Sequence, residues 1–223
     1  MRKSLFILLP LILSPSMSSD TLPDGFIYLD EVIPGISIDL KYFGTNNFVG
    51  KKINGYEDNK CILSIPAAEA LKGVQRELAP FGLELKILDA YRPQQAVNHF
   101  IEWAKDLTDT QTKQQYYPHV PKNRLFAEGY IASRSGHSKG STVDLTLIDS
   151  KTGEELDMGS PFDFFGPVSW VQDTSIHAEQ RSNRMLLNLL MTKYGFKAYR
   201  KEWWHFTLKN EPFPSTFFNF PVR

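Results

Sequence analysis

Four side chains in this sequence are suited to metal-assisted chemistry, and they fall in two short segments. His137 and Asp144 lie in a segment rich in Ser and Gly, and Glu202 and His205 lie about sixty residues further on in an aromatic segment. Catalytic zinc usually takes three nitrogen or oxygen ligands from the protein and leaves a fourth position open for water. His137, Asp144 and His205 would supply such a set, although they would also bind other divalent ions. Glu202 would then be free to act as a base.

The elements that carry these residues must bring them together. Residues 143–148 alternate in a way that predicts a strand, with Asp144 turned away from its apolar face. His205 belongs to a second predicted strand, in which strict alternation would place Glu202 on the opposite face. The sequence therefore predicts that Glu202 lies in a turn or bulge that leads into the strand of His205. A helical turn would also bring the two residues together, but the aromatic and β-branched content favours the strand.

Helical spacing of apolar residues predicts three helices. The first follows Ser64 and ends near Gly82, the second is opened by Pro93, and the third spans residues 178–193. A half-buried strand over residues 83–88 separates the first two helices, and residues 106–129 are predicted to form a long surface connection. The apolar face of the third helix is predicted to consist of Met185, Leu186, Leu189 and Leu190.

The composition indicates one α+β domain without a polyanionic partner. The chain has 223 residues, of which 42% are apolar, and this is enough for a single domain with a sizeable core. Lys and Arg total 25 and Asp and Glu total 25, so no net charge attracts nucleic acid or anionic lipid. Cys61 is the only cysteine, which excludes an internal disulfide, and it is predicted to be a small buried residue.

Residues 1–18 have the anatomy of a secretory signal peptide, with a basic start, a short apolar run and a small-residue end. The apolar run contains Pro10 and is far shorter than the ~20 residues that a membrane-spanning helix needs, so no stable membrane anchor is expected. Ser16 and Ser18 fit the small-x-small cleavage pattern, which leaves residues 19–223 as the mature domain. We therefore expect an exported protein in the periplasm. The alternative is a buried N-terminal strand or helix.

Further motifs accompany the two metal segments. They are Asp39-Leu40-Lys41-Tyr42, Asp89-Ala90-Tyr91-Arg92-Pro93, Asp144-Leu145-Thr146-Leu147, the run from Met158 to Phe164, Gly195-Phe196 and the run from Phe218 to Val222. Together with the metal segments, they resemble the VanX-like D-alanyl-D-alanine dipeptidases over nearly the whole mature chain. The metal motif alone resembles a wider group, the D,D- and L,D-carboxypeptidases and the related Hedgehog signalling domains. The runs that end at Phe164 and Val222 are similar to the dipeptidase branch.

This resemblance implies a single α+β domain, built from a mainly antiparallel sheet with helices packed on it and a Hedgehog-like zinc site at the sheet. It implies that His137, Asp144 and His205 bind one zinc ion per chain. It also implies that Glu202 is the catalytic base, in agreement with the chemistry of the residues themselves. An anionic ligand such as Asp144 offsets part of the metal charge, so a nearby base becomes more useful.

The resemblance also implies roles for four residues around the metal. Arg92 would stabilise the oxyanion, whereas without the resemblance it would be a salt-bridged surface residue beside a helix start. Asp163 would meet the ammonium group of the substrate, and Ser135 and Tyr42 would line the bound substrate. From the residues alone, Asp163 could equally cap a turn, Ser135 could satisfy loop backbone, and Tyr42 could pack in the core.

The expected activity is hydrolysis of D-alanyl-D-alanine, a small dipeptide, during turnover of the cell wall. Because the chain carries an export signal, it differs from the resistance-associated members, which act in the cytoplasm. One alternative is a D,D- or L,D-carboxypeptidase that trims longer wall peptides. Another is a non-catalytic wall-binding module with a structural zinc ion. Glu202 argues against the second alternative, because a structural site would have four closed protein ligands and no use for a spare carboxylate.

Overall fold

The computed structural model describes residues 21–223, and the signal peptide predicted for residues 1–18 lies outside them. Within the described residues there are seven strands and five α-helices. The strands are β1 (Phe26–Tyr28), β2 (Ser37–Ile38), β3 (Ile62–Ser64), β4 (Leu83–Asp89), β5 (Thr142–Asp149), β6 (Phe196–Ala198) and β7 (His205–Leu208). The α-helices are α1 (Leu29–Val32), α2 (Ile65–Leu78), α3 (Gln94–Lys105), α4 (Lys113–Tyr116) and α5 (Ala178–Lys193). Short 3-10 helices cover Ala79–Phe81, Lys122–Arg124, Gly136–Lys139 and Pro167–Ser169.

The described strands form a five-stranded sheet in the order β2-β4-β5-β7-β6 and a small sheet in which β1 pairs with β3. In the larger sheet β2 runs parallel to β4, and the other three pairs are antiparallel. The predicted α+β class with a mainly antiparallel sheet is therefore confirmed. Its central strand, β5, is buried along almost its whole length, since the sheet is covered on both faces. No helix among the described residues has the length and apolarity to span a bilayer.

The three predicted long helices are present, and their starts follow the predicted signals. Ser64 directly precedes α2 and Pro93 directly precedes α3, while α5 has the predicted bounds. The Ser64 side chain does not cap α2, however, because its hydroxyl bonds that of Ser141 at 2.8 Å. Helix α2 buries an apolar stripe that ends at Leu78, and Gly82 then adopts a left-handed conformation that leads the chain into β4.

The apolar residues predicted to face the core from α5 are only partly correct, because Leu190 is buried and Leu186 packs against the core but the other two do not. Met185 and Leu189 are each 60% exposed, whereas Leu187, Met191 and the side chain of Arg184 are buried. Six of the seven residues from 185 to 191 are apolar, so the pattern does not define which side of the helix faces the sheet. The prediction of a surface connection over residues 106–129 is also only partly correct. The segment contains α4 and a 3-10 helix, and it buries Tyr116, Tyr117, Lys122 and Leu125.

A C-terminal segment, residues 218–222, joins several parts of the domain. The Phe218 amide donates to the carbonyl of Ser138, and the Phe218 carbonyl accepts from the first amide of α3. The Phe220 ring stacks on Tyr91 with 4.1 Å between the ring centroids, and the Tyr91 hydroxyl donates to the Phe220 carbonyl. Val222 is buried and forms a bridge with Tyr56. This segment therefore packs beside the 3-10 helix that carries His137.

Candidate active site

Three neighbouring strands place the site at the centre of the larger sheet. Asp144 on β5 pairs with His205 on β7 at one side and with Asp89 on β4 at the other. A bulge in β4 between Ile87 and Asp89 shifts the register and creates the second pairing. Directly opposed residues in a sheet lie on the same face, so the three side chains point into one region. His137 approaches them from the 3-10 helix Gly136–Lys139.

The ligand atoms of His137, Asp144 and His205 converge as a metal site requires. Nε2 of His137 lies 3.3 Å from Nδ1 of His205 and 3.3 Å from Oδ2 of Asp144. Nδ1 of His205 lies 3.0 Å from Oδ1 of Asp144. Tetrahedral zinc with bonds of ~2.0–2.1 Å separates its ligand atoms by about 3.3–3.4 Å. The donor set and its spacing therefore fit a zinc ion.

Burial and hydrogen bonding support the same assignment. His137 and Asp144 are buried, and Oδ1 of Asp144 has no hydrogen-bond partner of acceptable geometry among the described residues. Nδ1 of His137 donates to the Ala90 carbonyl at 2.7 Å, which leaves Nε2 with a free lone pair. Burial disfavours the charged form of Asp144, but His137 and His205 hold the pKa of this carboxyl well below its usual range. A carboxylate in that state is a ready metal ligand.

Glu202 lies in the turn before β7, where the sequence predicted a break in strand alternation. Its amide donates to the Tyr199 carbonyl, and its carbonyl accepts from the His205 amide at 3.3 Å. The turn brings Oε2 of Glu202 to 3.5 Å from Nδ1 of His205, on the same side as the ligands. Burial raises the pKa of Glu202 to about 7, a value suited to proton transfer near neutral pH.

Arg92 follows β4 and is largely buried, so the interpretation of a surface residue is wrong. Nε of Arg92 donates to Oδ2 of Asp89 at 2.9 Å, and Nη2 forms an ion pair with the same oxygen at 2.7 Å. Nη2 also lies 3.6 Å from Oδ2 of Asp144, and the guanidinium rests over the ring of Tyr42 at 4.8 Å. The hydroxyl of Tyr56 donates to Oδ1 of Asp89 at 2.5 Å. These contacts hold the guanidinium beside the candidate metal ligands.

Sequence reasoning assigned no role to Asp89 and Tyr56. The signal for Asp89 was an acidic residue three positions before Arg92 at the end of a predicted strand. Tyr56 gave no local signal, because it contacts Asp89 from 33 residues away. Asp89 bonds Arg92 and Tyr56 bonds Asp89, so both residues help to fix the position of Arg92.

Tyr42 and Asp163 form a buried pair. The Tyr42 hydroxyl donates to Oδ2 of Asp163 at 2.8 Å, so Tyr42 both packs in the core and serves a polar partner. Asp163 has a φ of 59°, the left-handed conformation that Asp and Asn tolerate better than other side chains. Burial and the nearby Asp144 raise the pKa of Asp163 well above its usual range. A cation that entered beside Asp163 would therefore find an acceptor with little hydration to lose.

Ser135 marks the start of the 3-10 helix that carries His137. Its hydroxyl accepts from the His137 amide at 3.2 Å, so it satisfies loop backbone as one interpretation predicted. A cavity of about 270 Å³ joins Ser135 to the rest of the site. All eight predicted site residues line it: Tyr42, Arg92, Ser135, His137, Asp144, Asp163, Glu202 and His205. Residues not predicted, among them Tyr130, Arg134, Phe165 and Tyr199, complete the wall.

The sequence profile of the family described as D-ala-D-ala dipeptidase matches residues 23–223. The chain belongs to this peptidase family. A D-alanyl-D-alanine dipeptidase of Enterococcus faecalis is 44% identical, over 89% of this chain and 98% of the relative. One of Enterococcus faecium is 41% identical with the same coverage. Among solved structures, a zinc complex of the D,D-pentapeptidase VanY is similar with a TM-score of 0.41 and 12% identity, over 69% of this chain and 76% of that one.

Membership in a metallopeptidase family agrees with the donor set in the cavity. Among the described residues, His137, Asp144 and His205 form the one cluster of His, Cys, Asp or Glu side chains whose ligand atoms all lie within 4.8 Å of one another. Glu202 faces the same cavity without belonging to that cluster. Three ligands with a separate carboxylate are the expected arrangement for a catalytic metal.

Proposed function

We propose that this protein is a zinc-dependent D-alanyl-D-alanine dipeptidase. The observation that carries the proposal is the convergence of a three-ligand metal site, a separate carboxylate and a buried arginine in one cavity of about 270 Å³. Dipeptidase relatives that match almost their whole length to this chain support the substrate. One zinc ion per chain would be held by His137, Asp144 and His205.

A bound zinc ion supplies a Lewis acid that polarises the peptide carbonyl. Glu202 takes the proton of the attacking water at its carboxylate and passes it to the departing amine, a role that its pKa of about 7 supports. Arg92 stabilises the negative charge that develops on the carbonyl oxygen. Because Asp89 already holds two of its donor nitrogens, Arg92 needs little reorganisation during the reaction.

Asp163 binds the ammonium group of the dipeptide, and the Tyr42 hydroxyl keeps its carboxylate in place. A free dipeptide has this ammonium next to the scissile bond, whereas a longer wall peptide has an amide there. A buried carboxyl at this point therefore favours the dipeptide. Ser135 lines the same cavity beside His137 and contacts the substrate.

The test is release of D-alanine from D-Ala-D-Ala by the purified, zinc-loaded protein. Glu202→Gln is expected to lower the rate by about 10²–10⁴-fold. The matched control is Glu69→Gln, an exposed glutamate on α2, which leaves the rate unchanged. A pentapeptide that ends in D-Ala-D-Ala should remain intact. Its cleavage would support a carboxypeptidase, and no cleavage of either peptide would support a non-catalytic wall-binding module.

We further propose that the protein is exported to the periplasm and acts in turnover of the cell wall. The anatomy of residues 1–18 supports this proposal. The test is fractionation of cells that express the full chain, with N-terminal sequencing of the product. Mature protein that begins near residue 19 and lies outside the inner membrane is the expected result. Full-length protein confined to the cytoplasm would contradict it.

A further inference from the structure

The cavity contains more negative than positive side chains. Among the described residues that line it, Asp144, Asp163 and Glu202 are acidic, and Arg92 and Arg134 are their basic counterparts. A dipeptide carries a free carboxylate as well as an ammonium group. Asp144 is assigned to the metal, so Asp163 and Glu202 are the acidic side chains that this carboxylate would meet, and a cation that received it would offset their repulsion. Arg92 and Arg134 are the two arginines in the cavity wall that could receive this carboxylate.

Arg92 is already engaged. Its Nε donates to Asp89, its Nη2 lies 2.7 Å from Asp89 and 3.6 Å from Asp144, and its guanidinium lies over the ring of Tyr42. Its side chain is only 12% exposed. A second carboxylate at Arg92 would have to compete with two acidic partners for the same guanidinium.

Arg134 has no such competitor. Across residues 21–223, its guanidinium has no ion-pair or hydrogen-bond partner, and its close aromatic contact is the ring of Phe217 at 5.0 Å. It is exposed at the cavity wall and directly precedes Ser135. A guanidinium offers two parallel donors that match a carboxylate, and an aromatic face beneath it restricts its orientation.

The backbone around Arg134 is held on both sides. Nε2 of Gln94 donates to the Ser133 carbonyl at 3.1 Å, and the Ser135 hydroxyl accepts from the His137 amide. The Arg92 amide donates to the His137 carbonyl at 3.3 Å. Arg134 therefore extends from a segment whose position is tied to that of a metal ligand.

We propose that Arg134 binds the free carboxylate of the dipeptide substrate. This assignment rests on the proposed function and extends it, because it gives the two charges of the substrate separate partners. Asp163 recognises the amino end and Arg134 recognises the carboxyl end. Arg134 is then a determinant of substrate specificity rather than a group that takes part in bond cleavage.

The test compares D-Ala-D-Ala with its C-terminal amide, D-Ala-D-Ala-NH2, which has the same scissile bond and no carboxylate. Arg134→Gln is expected to lower kcat/KM for the acid by about 10- to 100-fold, mainly through KM, because a charge-assisted hydrogen bond is lost. Hydrolysis of the amide should change less than about twofold. Arg134→Lys should retain part of the preference for the acid, and Arg76→Gln, an exposed arginine on α2, should change neither substrate.

A binding measurement separates this proposal from the activity. Calorimetric titration of zinc-loaded Glu202→Gln with D-Ala-D-Ala is repeated in Glu202→Gln/Arg134→Gln, and about 10- to 100-fold weaker binding of the acid alone is expected. Equal weakening of acid and amide, unchanged binding of the acid, or no measurable binding of either peptide would overturn the assignment. If the acid binds in this Arg134-dependent way but wild-type protein releases no D-alanine, the dipeptidase proposal fails and Arg134 remains the carboxylate partner.

Discussion

Replacement of Asp89 by Asn would test the buried network next to the proposed metal ligands. Asp89 is fully buried, and its carboxylate accepts one hydrogen bond from Nε of Arg92 and one from Tyr56, with Nη2 of Arg92 at 2.7 Å as an ion-pair contact. Oδ2 of Asp89 also lies 3.4 Å from Nδ1 of His137. The Asn side chain has nearly the same shape but no charge, so Arg92 would become a buried cation without its main partner.

The expected loss of stability follows from these contacts. Loss of the charge-assisted hydrogen bond from Nε costs about 1.5–3 kcal/mol, and removal of one partner of a buried ion pair costs ~3–5 kcal/mol in all. In a domain of this size, 3–5 kcal/mol corresponds to a Tm lower by roughly 6–20 °C. Burial raises the pKa of Asp89 despite the nearby Arg92, and an intact buried ion pair often adds little net stability. The large loss is specific to the removal of one partner.

The assay is thermal and urea unfolding of metal-free protein, which keeps metal affinity out of the measurement. Asp39→Asn is the matched control, because Asp39 is 43% exposed and pairs with Lys41 and Lys86. Exposed pairs contribute about 0–1 kcal/mol, so this variant should unfold almost as the wild type does. A loss below about 1 kcal/mol in Asp89→Asn would refute the reasoning, since Arg92 would then have found another partner or water.

Three further perturbations address the rest of the site. In metal-free protein, Asp163→Asn should raise Tm at pH 8 but not at pH 3. The reason is that the raised pKa of Asp163 destabilises the folded protein only at pH values above the pKa of the unfolded state, which is about 4. An equal gain in Tm at both pH values would contradict this prediction. Free zinc at 100 times its Kd should add about 2.7 kcal/mol to the free energy of unfolding, which corresponds to a Tm higher by roughly 5–11 °C. In a calorimetric scan, His205→Ala should abolish this shift in Tm. Tyr56→Phe should lose about 1.5–3 kcal/mol in urea unfolding against about 0.5–1.5 kcal/mol for Tyr91→Phe, because the Tyr56 hydroxyl bonds a carboxylate and the Tyr91 hydroxyl a carbonyl. Equal losses would show that the Tyr56 hydroxyl bonds the Asp89 carboxylate no more strongly than a hydroxyl bonds a carbonyl.

The parts of the site that depend on local pattern could be predicted from the sequence. Alternation over residues 143–148 indicated the strand that presents Asp144, and it is β5 in the structure. A regular strand would have placed Glu202 and His205 on opposite faces, although both are needed at one site. The sequence therefore predicted that Glu202 lies outside the regular strand, and it occupies the turn before β7. Both inferences succeed because side-chain direction within a strand is a property of a few consecutive residues.

The parts that depend on distant contacts could not be predicted in the same way. The hydrogen bond from Tyr56 to Asp89 joins residues 33 positions apart, beside a bulge in β4 that has no clear local pattern. The buried side of α5 is set by the sheet beneath it, because apolar residues surround most of the helix around Asn188. Whether the Arg134 guanidinium has an ion-pair partner depends on the residues that fold around it, so the local sequence does not predict it.

The packing of residues 218–222 has a consequence for the order in which the enzyme matures. On the ribosome, His137, Asp144, Glu202 and His205 are all synthesised before this segment, yet it supplies the hydrogen bond to Ser138 and the one to the start of α3. A nascent chain can therefore contain every proposed ligand and the proposed base while the 3-10 helix of His137 still lacks its neighbour. We therefore expect the packing around His137 to be completed only after synthesis has passed all of the proposed chemical groups.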